Sequence, residues 1–296
     1  MSEPDWKKIE LENRGLSIRS ARLLGEGWTS RAYLVNNELV FRFPKCREDW
    51  RELDREIAFL APAASELPLA VPVYTMVAPE STAAACGYAV YRYLSGNALD
   101  VNALTPQKQT AAADVIAGFL RALHAFQPSS QLCSLLPDDD HRKLAEDYLA
   151  NAEREIAPKL APSQARALRA QFELYLGEPR NFLFGPAVLH ADLAGDHILV
   201  NDGSVTGVID FGDVSWGDPD YDFMYLFVDF GEKFAAQVAQ RYGHPDLAEL
   251  GEKLRYFALV DQIGTILEGP GRALRGQKDA AWRRLVQLLQ GRDCGV

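Results

Sequence analysis

The stretch from His190 to Asp213 restricts the fold of this chain more than any other. It reads His190-Ala191-Asp192, then Asp196-His197-Ile198-Leu199-Val200, then Val208-Ile209-Asp210-Phe211-Gly212-Asp213. Two short apolar runs, each delivering polar residues at or near its end, predict a pair of strands. Asp192 and Asp210 stand eighteen positions apart, close enough for one hairpin to set them face to face.

Two carboxylates and an imidazole at this spacing suit phosphoryl transfer. One Asp can accept a proton from an attacking hydroxyl, while the other Asp and a neighbour hold Mg2+ on the phosphates of a nucleotide. The protein-kinase pattern is H-R-D-x-x-x-x-N followed by D-F-G. This chain keeps the spacing from Asp192 to the second ligand position and sets His197 where that pattern has Asn. His-x-Asp alone is common, and a lone Asp-Phe-Gly also ends ordinary strands. Both in this order, separated by apolar runs, predict a phosphotransferase.

The upstream sequence supplies matching parts. After a short polar start, Ile18 to Leu24, Ala32 to Val35 and Leu39 to Phe43 are expected strands, the first two flanking Gly25-Glu26-Gly27-Trp28-Thr29-Ser30. A Gly-rich turn between strands can close over phosphates with its backbone N–H groups, which makes Gly25, Gly27 and Ser30 candidate nucleotide contacts. Glu48 to Leu60 has helical spacing, with Leu53, Ile57 and Leu60 on one face. A kinase-like small lobe needs a cation on its third strand and a helix carboxylate to orient it. Arg42 and Glu56 stand in those positions, with Lys45 beyond Pro44 as a competing cation. Leu69 to Val77 and Gly87 to Leu94 predict two more strands. The second ends at a flexible point, where backbone groups around Tyr91, Tyr93 and Leu94 could pair with a purine edge.

From Thr105-Pro106 the pattern turns helical, with a capping side chain and a proline in the first turn. Further helices are expected over residues 141–157, 163–176, 222–229, 232–242, 246–268 and 279–290. At 296 residues and 48% hydrophobic, the chain can bury a substantial core. The expected fold is α+β and two-lobed, like a protein kinase. Residues 1–95 form a β-rich nucleotide-binding lobe, a hinge lies at about 91–97, and residues 96–296 form a mainly helical lobe with the catalytic loop and acceptor site.

Composition narrows the setting. Cys46, Cys86, Cys133 and Cys294 are scattered, which argues against zinc or a disulfide framework and fits a reducing compartment. The N-terminus lacks a signal-peptide pattern, and no apolar run approaches the ~20 residues that cross a bilayer. A cytoplasmic protein without a membrane partner, by default a monomer, is expected. Residues 206–270 hold 12 acidic and 4 basic side chains, which repels nucleic acid. Such a segment is either solvated surface or a recruiter of a cationic substrate, and its position beside the catalytic motif favours the second.

In these motifs the chain resembles the aminoglycoside phosphotransferase family, antibiotic kinases with the protein-kinase fold, and within it most the 2″-O-phosphotransferases. The resemblance is carried in order by Gly25-Glu26-Gly27, Phe41 to Lys45, Glu56, Leu120 to His124, His190 to Val200, Ile209 to Asp213 and Asp218-Pro219-x-x-Asp222-Phe223. The Asp-His-Ile-Leu run is distinctive, because the 2″ class has His where most relatives have Asn. The resemblance implies Asp192 as the catalytic carboxylate and His197 with Asp210 as Mg2+ ligands. It gives Arg42 the phosphate-binding role that the 2″ class assigns to Lys, with Glu56 as its partner. Asp222 braces the catalytic loop, and His190 shapes it. Asp213, Glu232, Asp261 and Glu268 become candidates for binding a polycationic antibiotic, with ATP or GTP as donor. Rival expectations are a macrolide phosphotransferase, a metabolic kinase acting on an amino alcohol or sugar, and a pseudokinase.

Overall fold

The structure, a computed structural model, describes residues 3–267 and 275–291. It begins with a helix where only a polar start was expected, α1 (Trp6–Glu12), capped by the Asp5 side chain. Its apolar residues explain the helix: Ile9 is buried, and Trp6 stands edge-on to Tyr33, Phe41 and Phe43 at 5.3, 5.8 and 5.8 Å. A short amphipathic segment is here held by packing rather than by propensity.

Five strands follow, β1 (Ala21–Glu26), β2 (Ser30–Val35), β3 (Leu39–Pro44), β4 (Tyr74–Ala78) and β5 (Tyr88–Arg92), forming an antiparallel sheet of order β1-β2-β3-β5-β4. The expected strand from Leu69 is corrected at its start. β4 begins only at Tyr74, beyond Pro72, and Ala70 instead makes a parallel bridge to Gly207. Between β3 and β4 lies α2 (Trp50–Ala63), two residues later than expected at its start and three longer at its end. Phe59, Leu60 and Ala63 of α2 belong to the large core, where Phe59 meets Phe126 and Phe211 at 5.6 and 5.7 Å.

The rest is mainly helical: α3 (Pro106–Ala125), the short α4 (Ser130–Cys133), α5 (His141–Glu155), α6 (Pro162–Gly177), α7 (Met224–Phe230), α8 (Glu232–Tyr242), α9 (Leu247–Leu267) and α10 (Arg275–Leu289). Thr105 caps α3 through its side chain and Pro106 opens it, as its sequence predicts. Set among these helices are β6 (Asn97–Ala98), β7 (Ala187–Leu189), β8 (Ile198–Asn201), β9 (Ser204–Val208) and β10 (Ser215–Gly217). The expected hairpin is β8–β9. β6 pairs with its β8 edge, while β7 pairs with β10 separately. No helix among the described residues is long and apolar enough to cross a membrane.

Two cores result. A small one on the sheet joins Ile9, Tyr33, Val35, Phe41, Phe43, Tyr88 and Val90, and a large one unites α2 with the helices and the β8–β9 hairpin. Gly87, before β5, sits at φ +72°, and a Cβ there would run into the backbone of Ala78 and Pro79. Gly15 has φ +92° but open space around it. Gly87→Ala is therefore expected to cost more stability than Gly15→Ala, by about 1–3 kcal/mol. Urea denaturation of the two variants checks this, and equal losses would contradict the close approach at Gly87.

Candidate active site

The site forms where the loop before β8 meets the residues that follow β9. The 3-10 turn Pro219–Phe223 presents Asp222, which is 2% exposed. Its Oδ1 accepts the Ala191 N–H at 2.7 Å, and its Oδ2 accepts the His190 N–H and the His124 Nε2–H at 3.0 Å each. These bonds hold Ala191 at φ +64°, a left-handed conformation that costs a non-glycine residue about 1–2 kcal/mol. The next residue is Asp192.

His190 is fully buried, and its tautomer follows from its partners. Nε2 faces the Ile209 carbonyl at 3.1 Å and must donate, while Nδ1 accepts the Asp192 N–H at 3.2 Å. Burial pushes this imidazole down to about 4, consistent with a neutral ring. His190 ties the catalytic loop to the end of β9 and has no nitrogen left for a substrate.

Asp192, His197 and Asp210 converge as the sequence predicts. His197 Nδ1 lies 2.7 Å from the Asp192 carbonyl and 3.4 Å from its Oδ2, and Nε2 lies 3.7 Å from Asp210 Oδ2. The Nδ1–H donates to the carbonyl, so Nε2 is the nitrogen turned toward Asp210. Burial pushes Asp192 up to about 7, with His197 opposing. Burial disfavours the charged form of His197, and the Asp192 and Asp210 carboxylates more than offset it. The two carboxylates therefore favour the protonated imidazole, and a metal ion ligated by Nε2 would have to displace that proton. A hard cation there would draw its remaining ligands from water and phosphate oxygens, as Mg2+ does. Among the described residues no cluster of three or more metal-ligating side chains forms.

On the sheet side, Arg42 and Glu56 meet as expected. Arg42 Nη1 is 2.7 Å from Glu56 Oε2, while Nη2 is 3.2 Å from Asp210 Oδ1 and donates to Ser30 Oγ at 3.0 Å. Tyr74 donates its hydroxyl to Glu56 at 3.0 Å. Burial alone would raise Asp210, yet Arg42 and His197 hold it below the usual carboxylate range. Lys45 instead pairs with Glu26 at 3.0 Å on the edge of the Gly-rich turn. Gly27 closes that turn by donating its N–H to the Ser30 carbonyl at 2.9 Å.

A cavity of about 1250 Å³ runs from this turn past Asp192 to α9 and α10. Asp213 and Asp261 line it as expected, joined by Asp196 and Asp229, and burial raises Asp213, Asp229 and Asp261. Tyr225 donates to Asp261 at 2.8 Å, and Asp229 accepts the Gly195 N–H at 2.9 Å. Asp229 was not among the expected contacts. Its position four residues after Tyr225 on one helical face is the signal that could have found it. Trp28, at the tip of the Gly-rich turn, also lines the cavity.

Several of the expected residues lie off the cavity wall. Glu232 is an exposed residue that pairs with Arg255 at 2.8 Å, off the cavity wall, because it stands in the first turn of α8 facing α9. Glu268 lies outside the described residues. Gly25 sits within β1 at a register shift and does not line the cavity. Nor do Tyr91, Tyr93 and Leu94. Tyr91 packs with Leu34 and Val40, and the Tyr93 N–H is taken by the Glu38 carbonyl at 2.8 Å. Of the three, Leu94 alone keeps a backbone N–H without a partner among the described residues.

A Gly-rich turn, an Arg–Glu pair and two facing carboxylates on a kinase-like scaffold are the parts of a phosphoryl-transfer enzyme. The family model described as Phosphotransferase enzyme family matches residues 20–257, and the chain belongs to that family. Among solved structures it is similar to wild-type aminoglycoside 2′-phosphotransferase-IIIa in a GDP complex, at 30% identity over 97% of each chain with TM-score 0.89. It is also similar to APH(2″)-IIia solved with GDP and kanamycin, at 31% identity over 97% of each chain with TM-score 0.86. A macrolide 2′-phosphotransferase from Brachybacterium faecium shares the fold at 19% identity over 96% of this chain and 97% of that one, TM-score 0.70.

Glu56→Ala leaves the Arg42 guanidinium buried without its closest counter-charge, and a loss of about 3–5 kcal/mol is expected in chemical denaturation. In steady-state kinetics, Arg42→Ala is expected to impair nucleotide use more than Lys45→Ala. The reverse order would place the phosphate-binding cation at Lys45.

Proposed function

We propose that this chain transfers the γ-phosphoryl group of a nucleoside triphosphate, GTP or ATP, to a hydroxyl of an aminoglycoside. The observation that carries this reading is the row of carboxylates, Asp213, Asp229 and Asp261, on the wall of the cavity that holds Asp192. A polycation satisfies such a wall, since each hydrogen bond to a charged group contributes roughly 1.5–3 kcal/mol. The similarity to a protein solved with GDP and kanamycin supports the same assignment.

In this reading the acceptor hydroxyl oxygen forms a bond to the γ-phosphorus as the bond to the β–γ bridging oxygen breaks. The nucleoside diphosphate leaves, and the hydroxyl proton passes to the Asp192 carboxylate. Arg42, fixed by Glu56, binds phosphate oxygens, and the turn from Gly27 to Ser30 covers them with backbone N–H groups. His197 and Asp210 would hold Mg2+, which neutralises phosphate charge. The purine lies at the Leu94 N–H. Asp222 and His190 keep the catalytic loop in shape without touching substrate. The lobes are residues 1–95 and 96–296.

A turnover assay with kanamycin, gentamicin and a macrolide, each with GTP and with ATP, tests the reading. Phosphorylation of the aminoglycosides is expected, and turnover with the macrolide alone would sink it. Asp192→Asn is expected to lower transfer by about 10²–10⁴, the range of general-base contributions, with its thermal stability retained. A variant with half the parent rate would remove Asp192 from that role. The KM for the aminoglycoside is expected to rise steeply with salt, since charge pairs open to solvent are screened over about 8–10 Å at physiological ionic strength. A flat response would reduce the carboxylates to solvated surface.

A further inference from the structure

Lys253 is a buried cation that none of these roles uses. It lies on α9 with 6% of its side chain exposed, its Nζ 2.6 Å from Asp218 Oδ2 and 2.5 Å from Asp220 Oδ2. His244 meets Asp220 from the other side, with Nε2 3.0 Å from Oδ1. Its Nδ1 accepts the Asp246 N–H at 3.2 Å, so His244 donates through Nε2. Asp218 Oδ1 also accepts the Asp220 N–H at 3.1 Å. The Phe184 and Phe257 rings border the ammonium at 6.0 and 5.9 Å.

For stability alone this arrangement has little advantage. Desolvating each ion costs several kcal/mol, and well-packed apolar side chains in place of a buried ion pair are often as stable or more so. An ammonium shared by two carboxylates supplies something else, a fixed separation between the elements that carry them. Both elements lead to the reaction. Asp218 and Asp220 open the turn that also carries Asp222, whose carboxylate holds the loop of Asp192. Lys253 heads the face of α9 that continues through Phe257, Val260, Asp261 and Gly264, all on the cavity wall. Those positions recur at helical spacing, so they share one face with Lys253.

We propose that Lys253 is a positioning residue: it sets the distance between the acceptor-binding face of α9 and the catalytic loop. The proposal rests on the aminoglycoside reading above. An error of about 1 Å in that distance can cost on the order of 10²-fold in rate, whereas water attacking the nucleotide is not positioned by α9.

Lys253→Met leaves two buried carboxylates facing each other and is expected to lower Tm or prevent folding. The neutral combination Lys253→Met, Asp218→Asn and Asp220→Asn removes the charges together and keeps side chains that can cap the turn. In that variant the ratio of kanamycin phosphorylated to nucleotide hydrolysed is expected to fall at least about ten-fold below the parent, with the fall in kcat for kanamycin rather than in its KM. A purely structural role would scale both reactions with the folded fraction, so an unchanged ratio overturns the proposal. Absence of kanamycin phosphorylation by the parent, seen before any substitution, would overturn the aminoglycoside reading and this inference with it.

Discussion

One carboxylate governs the shape of the active site. Asp222 accepts two backbone N–H groups of the catalytic loop and a third hydrogen from His124. Hydrogen bonds to a charged group contribute roughly 1.5–3 kcal/mol each, and left-handed backbone at Ala191 costs about 1–2 kcal/mol. The balance favours the bent loop, and the bend brings Asp192 beside His197. His190 then locks the bend from beneath, with each ring nitrogen committed to a backbone partner.

Charge is divided across the site. Toward the sheet, Arg42 is held among Ser30, Glu56 and Asp210, and Arg55 donates to the Gly212 carbonyl. Toward the helices the wall is acidic, with Asp213, Asp229 and Asp261. Asp210 belongs to both sides, pairing with Arg42 through one oxygen and facing His197 with the other. The cations on the sheet side are already matched by carboxylates, Arg42 by Glu56 and Asp210 and Lys45 by Glu26, so an anion bound there would compete with Asp210 for Arg42.

Local pattern reveals more of this molecule than long-range arrangement does. The β8–β9 hairpin, the long helices and the meeting of Arg42 with Glu56 were legible, because period, caps and spacing are short-range signals. α1 was not, since its helix depends on Trp6 finding three aromatic rings of the sheet. The start of β4 was misplaced because Ala70 pairs with β9, a partner more than a hundred residues away. Glu232 illustrates the limit for the site itself. Its charge suited the cavity, but the direction of its side chain depends on how α8 packs against α9, where Arg255 claims it. Lys253 gave no signal at all, being one basic residue in a helix with the weakest amphipathic pattern to guide it.

The β8–β9 hairpin is held along both edges by the segments that enter and leave the last two strands of the sheet. On one edge Ala70 accepts from Val208 at 2.9 Å and donates to Thr206 at 3.2 Å. On the other, β6 pairs with β8, and Asn201 donates to the Ser95 carbonyl at 2.8 Å. A single tether would let the sheet swivel freely over the helices. Two tethers on opposite edges, with α2 packed into the large core beside them, leave the sheet no such freedom. Asp210 lies two residues beyond β9, and Ile209 beside it donates to the His197 carbonyl at the foot of β8 at 2.9 Å. The carboxylate that faces Arg42 is thus built on the segment both tethers grip.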